Sequence, residues 1–371
     1  MAKIVLISDR NVYMKRICNF LAENDHEIWL VCRFRDGLPR NEFSDRIHFF
    51  DFSSEKLSVK RRELNYIIRS VNPDFIHLHY LARDIVLPAL ILRRKFKYFV
   101  TIWGSDMNIA SRNPVNRILQ NIGLIGADKI HLLSGFFADR IRAMYYFISS
   151  KKITVFSWGI DLKNLQDVTP EIIQKVKEKY ALSGRTIILS FRNHYPLYNH
   201  HTLIRTIPYI AERFSKVIYV FVCGNSDKDY LGQSRKLVAK SGRPEHVLFI
   251  EEWMSSQELA ALVKMSAVSI NIPLEDGLPA SLLEIMATDS IPVAGDLQAY
   301  SEFFKENING LMLHTLTDSN ELQVLLEQAL KDTEKLSGKF AKRNNDYVEH
   351  YQNWMLQSGK LMDLYSNKIS S

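Results

Sequence analysis

The chain has 371 residues, 46% hydrophobic and 24% charged, a balance that excludes disorder and allows two domains with sizeable cores. Its net charge of +7 and pI of about 9.1 fit either a basic face that meets an anionic partner or ordinary solvated basicity. No apolar run approaches the roughly 20 residues that span a bilayer, and the N-terminal run ends at Asp9-Arg10 as a strand would, so a cytoplasmic protein, at most peripheral on the inner face of the cell membrane, is expected.

Lys3–Ser8 reads as a strand with an all-apolar centre, the pattern of a parallel sheet covered on both faces. A helix over Val12–Glu23 and a strand over Glu27–Cys32 follow. Leu57, Leu64, Ile67, Ile68 and Val71 recur at helical spacing, which predicts a helix over Leu57–Val71, stopped by Asn72-Pro73-Asp74. Strands are then predicted at Phe75–Leu78, Tyr98–Ile102, Lys129–Leu133 and Ile153–Phe156, with helices between. After a strandless connection over Ser157–Asp167 the pattern restarts with a helix near Thr169–Tyr180. Strands follow at Thr186–Ser190, Val217–Cys223, Val247–Glu251, Val268–Ile272 and Ile291–Val293. Helices are placed at His201–Phe214, Asp227–Ser241, Ser256–Lys264, Ala280–Thr288 and Ser319–Lys331. A last, aromatic-rich helix over Asp346–Ser366 is expected to pack back onto the first domain. Repeated βα units imply an α/β protein of two Rossmann-like, doubly wound parallel-sheet domains, 1–157 and 168–345, with about 346–371 returning to the first. Cys18, Cys32 and Cys223 have no zinc-site spacing and are expected as buried free thiols.

The most informative stretch is Asp276-Gly-Leu-Pro-Ala-Ser-Leu-Leu-Glu284. A strand ends at Pro273, a loop carries Asp276, Gly277 and Leu278, and a helix opens near Pro279. Proline at a helix start and glycine in the turn before it are the expected punctuation. Unpaired N–H groups at such a start favour a phosphate, with Gly277 allowing close approach and Ser281 and Leu282 alongside. Glu284 can accept two hydrogen bonds from vicinal hydroxyls, as on a ribose, and Asp276 can bind sugar hydroxyls. Two acids at this spacing are, alone, as easily a loop acid and a solvated helical Glu.

This stretch, continued by Ile285-Met-Ala287 and Ile291-Pro-Val-Ala294, is similar to the signature of family 4 glycosyltransferases, an acid, seven residues and then Glu. The resemblance extends over nearly the whole chain, through Pro73-Asp74-Phe-Ile-His77-Leu-His79, Ala127-Asp128-Lys-Ile130, Trp158-Gly-Ile-Asp161, Val222-Cys-Gly224-Asn225 and Asn309-Gly310. It implies the GT-B fold of two facing Rossmann domains, with a nucleotide sugar held by the second. In that pattern Arg192 matches an arginine that clamps the donor diphosphate, a role suited to a guanidinium. The companion lysine is missing, with Tyr198 and Asn199 near its place, and Gly224 and Asn225 fall among the donor contacts. On the first domain, Trp103 stands where the family often has His, either as a sugar-stacking surface or as core, and Ser105 and Asp106 follow it as acceptor-side candidates. His79 lies nearer its strand's end than His77 and is expected to face the cleft; Arg10 and Asn11 replace the family's glycine pair. Lys56, Lys60, Arg61 and Arg62, with Arg93, Arg94, Lys95 and Lys97, form either a solvated face or a surface for peripheral membrane contact.

The resemblance implies a retaining transferase that uses a nucleotide diphosphate sugar, UDP-linked in preference to GDP-linked, and a glycan or lipid-linked glycan acceptor of bacterial surface polysaccharide. No cofactor, metal or nucleic-acid partner is expected. Two alternatives stay open: a non-catalytic carbohydrate-binding protein of the same fold, and a GT-B enzyme of another type, such as an epimerase.

Overall fold

In a computed structural model, residues 1–54, 56–81, 96–104 and 114–366 are described. The chain forms two units, Met1–Trp158 with Gln357–Ser371, and Gly159–Leu356.

The first unit is built on a parallel sheet ordered β3-β2-β1-β4-β5-β6-β7. Its strands are β1 (Lys3–Arg10), β2 (Glu27–Gly37), β3 (Ile47–Asp51), β4 (Phe75–His79), β5 (Lys97–Ile102), β6 (Lys129–Leu132) and β7 (Ile153–Val155). Helix α1 (Val12–Glu23) joins β1 to β2, running one way across the sheet, whereas α2 (Leu57–Val71), α3 (Pro114–Gly126) and α4 (Gly135–Met144) serve connections running the other way. Right-handed crossovers therefore put α2, α3 and α4 on one face. Their buried residues Leu64, Ile67, Leu124, Phe137 and Ile141 share one core with Val5, Ile7, Ile76, Val100 and Ile130 of the strands. The sequence reading places no strand at β3: only Ile47 of that edge strand is buried, so the apolar run that marks the inner strands is missing. Lys60 also departs from expectation. It is 1% exposed, with its ammonium over the Phe52 ring at 5.7 Å, and does not belong to a solvated basic face.

In the second unit the parallel sheet is ordered β10-β9-β8-β11-β12-β13. It contains β8 (Thr186–Ser190), β9 (Val217–Val222), β10 (Val247–Ile250), β11 (Val268–Asn271), β12 (Ile291–Gly295) and β13 (Leu311–Leu313). Helices α5 (Leu162–Gln166), α6 (Pro170–Lys179), α7 (His200–Ile204), α8 (Ile207–Arg213), α9 (Lys228–Lys240), α10 (Ser256–Met265), α11 (Ala280–Met286), α12 (Ser319–Lys331) and α13 (Thr333–Tyr351) connect and flank the strands. The single helix expected over His201–Phe214 is two, because Pro208 in the first turn of α8 cannot continue the ladder of α7. The single C-terminal helix is likewise two, α13 and α14 (Trp354–Tyr365). Between them the Ile160 N–H donates to the Gln352 carbonyl (2.7 Å), the Trp354 N–H donates to the Ile160 carbonyl (2.9 Å), and Asn353 Oδ1 accepts from the Met355 N–H (3.0 Å). All three cysteines are buried free thiols, and burial pushes that of Cys223 up to about 12.

Candidate functional site

In the second sheet β8 and β11 are neighbours, but the chain continues from β8 towards β9 and β10 at one edge and from β11 towards β12 and β13 at the other. Loops diverge at such a switch point and leave a crevice at the carboxyl ends of the strands. Arg192 follows β8 there, and Asp276 follows β11. Arg192 Nη1 donates to Asp276 Oδ2 (2.9 Å) and to Ser281 Oγ on α11 (2.9 Å), and its guanidinium lies 4.3 Å over the Tyr198 ring. Tyr300, in the turn after β12, donates its hydroxyl to the same Asp276 oxygen (2.9 Å) and accepts from Asn271 Nδ2 (2.8 Å). The Gly277 N–H donates to Asp276 Oδ1 (2.9 Å). The ion pair is mostly but not wholly buried, 16% and 14% exposed, so an anion can still meet its open edge.

Burial opposes the charge on Arg192, but Asp276, together with Tyr198 and Tyr300, outweighs it and holds the guanidinium above its ordinary range. Burial, reinforced by Asp276, pushes the Tyr300 hydroxyl well above the usual tyrosine value, so it remains a donor. Tyr300 was not legible as a site residue: it lies 24 positions from Asp276 with no local pattern to link the two. Tyr300→Phe is expected to leave Asn271 Nδ2 and one Asp276 lone pair unmet and to cost about 1–3 kcal/mol. A chemical-denaturation midpoint that does not move would contradict this role.

The other donor-side residues divide by what holds them. Ser281 joins the Arg192 cluster, and Gly277, Pro279 and Leu282 are buried under it, with Leu278 partly exposed. Pro279 provides no side-chain cap for α11, and Glu284 stands partly exposed on that helix. Asn199 does not present its amide to a ligand, as expected of it: Nδ2 donates to the Ile272 and Leu316 carbonyls (3.3 and 2.5 Å), and Oδ1 accepts from Thr202 Oγ1 (2.7 Å). Its left-handed backbone (φ 58°) makes the turn into α7, and the amide ties three loops together. The Leu274 N–H donates to the Leu197 carbonyl (2.8 Å), clamping the β8 and β11 loops to each other. Asn225 Oδ1 accepts from the Tyr195 hydroxyl (3.0 Å), and a Cβ on Gly224 would sit 3.0 Å from the Glu252 carbonyl oxygen.

In the first unit the switch point lies between β1 and β4. Arg10 ends β1 partly exposed, and its carbonyl takes the Leu38 N–H (2.8 Å). Asn11 is a helix cap rather than a ligand contact: its Oδ1 accepts from the Met14 N–H (2.9 Å) at the start of α1. Trp103 is partly exposed between Tyr80, stacked at 5.2 Å, and Tyr13, edge-on at 5.1 Å. Gly104 (φ +111°) follows because a Cβ there would lie 2.6 Å from Phe137 Cζ. Ser105, Asp106, Arg93, Arg94 and Lys95 lie outside the described residues.

His79 corrects its expectation. Its side chain is 0% exposed, stacked on Trp158 at 5.8 Å, and neither ring nitrogen has a hydrogen-bond partner. Beside it His77 bonds Tyr365 Oη (2.5 Å) and Thr101 Oγ1 (2.7 Å), and His131 bonds the same Thr101 oxygen (3.0 Å) and the Phe156 carbonyl (2.8 Å). Burial, with the His131 imidazole beside it, lowers His79 to about 3, and burial alone lowers His131 to about 3 against a partial offset from the Phe156 carbonyl. The unfolded chain takes up these protons near pH 6.5, the folded chain only near pH 3. The unfolded state therefore binds more protons in that window, and stability falls as pH drops through it, by about 1.4 kcal/mol per pH unit for each group. His79→Phe is expected to flatten that slope by one group's share; an unchanged slope between pH 6 and about 4 would contradict it.

Residues 3–134 match the family model described as Glycosyl transferase 4-like, and residues 172–347 the one described as Glycosyl transferases group 1. Spore coat protein SA of Bacillus subtilis (strain 168) is 20% identical over 366 residues, 95% of this chain and 93% of that protein. The putative glycosyltransferase EpsD of the same organism is 24% identical over 156 residues, 42% of this chain and 39% of its own. Among solved structures, Anabaena HepE in complex with UDP and glucose aligns at a TM-score of 0.82, with 14% identity, covering 98% of this chain and 99% of that one. Sucrose-phosphate synthase of Thermosynechococcus elongatus aligns at 0.81, with 16% identity and coverage of 98% and 99%.

Proposed function

We propose, for a chain that is a glycosyltransferase of the GT-B type, a retaining enzyme that moves a sugar from a nucleotide diphosphate sugar, UDP-linked in preference, to a glycan or lipid-linked glycan of bacterial surface polysaccharide. The observation that carries this is the cluster at the β8–β11 switch point, where Arg192 is fixed by Asp276, Ser281 and the Tyr198 ring. In this reading Arg192 and the uncapped first turn of α11 stabilise the leaving diphosphate, the main demand of the reaction. Glu284 binds the ribose hydroxyls, and Asp276 orients the donor sugar while holding Arg192 in place. The acceptor hydroxyl attacks on the face from which the diphosphate departs, and the departing oxygen takes its proton, which retains the anomeric configuration without a separate base. The reading calls for no metal, since a guanidinium and a helix start carry the neutralising charge. HepE, of like fold, forms complexes with UDP and with UDP-glucose, which supports the UDP preference.

The test is thermal denaturation with UDP, GDP, ADP, UDP-glucose and UDP-N-acetylglucosamine. Ligand at a hundredfold excess over Kd is expected to add about 2.7 kcal/mol of stability. A larger shift with GDP overturns the UDP preference alone, and no shift with any nucleotide sinks the donor site.

A further inference from the structure

The loop from β8 to α7 carries Arg192 and Tyr198, and it rests on two histidines that the donor reading leaves unused. His194 and His200 are 0% and 1% exposed, with their rings stacked at 4.2 Å. His200 lies edge-on to the Tyr198 ring at 6.4 Å, and the Arg192 guanidinium covers that ring at 4.3 Å. His194 follows Arg192 closely in the chain and is held at three points. Its N–H donates to the Asn225 carbonyl (3.0 Å), its carbonyl accepts from the Asp227 N–H (3.0 Å), and its Nε2 lies 2.8 Å from Ser234 Oγ on α9.

These bonds assign the protons. The Ser234 hydroxyl donates its hydrogen to the Tyr230 carbonyl (3.0 Å). His194 Nε2 (2.8 Å) and His201 Nε2 (3.0 Å) must then both donate to Ser234 Oγ. Burial, with the His201 imidazole, lowers His194 to about 4, so at neutral pH its ring is uncharged and carries its N–H on Nε2. Burial first, and then His194, hold His200 well below the ordinary range, against a partial offset from the Arg192 backbone. His194 Nδ1 is consequently bare, and among the described residues this buried atom has no hydrogen-bond partner. That is a cost a phenylalanine would not carry. Phe221 of β9 and Phe249 of β10 meet the His194 ring edge-on, each at 5.9 Å, so its surroundings suit a hydrocarbon ring. What the imidazole adds is the bond that ties the Arg192 loop to α9.

We propose that His194, backed by His200, is a positioning residue for Arg192: its Nε2–H bond to Ser234 holds the β8–α7 loop, and with it the guanidinium, in place. The consequence for nucleotide binding rests on the reading of Arg192 as the diphosphate contact.

The test is a double-mutant cycle of His194→Phe and Arg192→Ala, read as the calorimetric Kd for UDP at neutral pH. His194→Phe is expected to weaken binding at least about tenfold when Arg192 is present and less than about twofold when it is alanine, because the effect acts through Arg192. His194→Gln, which packs worse but can still donate to Ser234, is expected to bind within about threefold of wild type. The melting temperature should run the other way, with the phenylalanine variant at or above the glutamine variant, so a merely structural role cannot mimic the result. A second readout needs no nucleotide. The Arg192 Nε–H resonance of the ligand-free protein should match wild type in His194→Gln and shift or broaden in His194→Phe. Equal Kd factors with and without Arg192, or an Arg192 resonance unmoved in His194→Phe, overturn the proposal. Wild type that binds no UDP while the resonance still responds sinks the donor reading and leaves the positioning of Arg192 by His194 standing.

Discussion

Replacing Arg192 by alanine is expected to reduce nucleoside diphosphate release by about 10²–10³-fold, the usual cost of removing one preorganised charge from a developing anion. The side chain joins three elements: it follows β8, pairs with Asp276 beyond β11 and bonds Ser281 on α11. In the proposed reading its loss removes the cation from the leaving group, and it leaves a mostly buried carboxylate whose partners among the described residues are Tyr300 and the Gly277 N–H. Arg192→Lys keeps the charge but not the planar group over Tyr198, so a smaller loss, about tenfold, is expected. Alanine turnover within a factor of about three of wild type would show that the ion pair is only structural.

A large loss of stability is expected from Gly310→Ala. A Cβ at Gly310 would lie 2.4 Å from the Pro292 carbonyl oxygen and 2.6 Å from Phe304 Cζ. The first is backbone of β12, so no rotamer change relieves the overlap. The neighbouring Asn309 is pinned as well: its Nδ2 donates to Asn344 Oδ1 on α13 (2.8 Å), and its backbone carbonyl accepts from Asn344 Nδ2 (2.8 Å). Overpacking at a fixed site costs about 3 kcal/mol or more, which lowers the melting temperature of a unit this size by about 6–12 °C. Gly184 is the control: its φ is +71°, but nothing lies within 4 Å of a Cβ there, so alanine meets only the left-handed penalty of about 1–2 kcal/mol. Equal melting shifts in the two variants would contradict the steric argument.

Local physics explains how much was legible. Helices Val12–Glu23, Leu57–Val71 and Ser319–Lys331 fall at their expected bounds because each has an amphipathic period with a polar residue at one end or both. Strand β9 is apolar along its length, and β4 is buried along its length, because both faces of a parallel sheet are covered. The Asp276–Glu284 stretch was found because its acid, glycine and proline are adjacent in sequence. What escaped was set by tertiary contact. The His77–Thr101–His131 relay, the capture of Lys60 by Phe52 and the Tyr300–Asp276 bond join residues from different elements. Asn11 and Asn199 were read as ligand donors because an asparagine that caps a helix or ties loops looks, in sequence, like one that binds a ligand.

The central claim, that the second unit holds a nucleotide diphosphate through Arg192, the α11 start and Glu284, is tested most directly by calorimetric titration of UDP. Wild type is predicted to bind, Glu284→Ala to bind at least about tenfold more weakly through loss of two charged hydrogen bonds, and the Arg192→Ala, Glu284→Ala double variant to show no measurable heat. UDP binding of equal affinity in wild type and both variants would contradict the account.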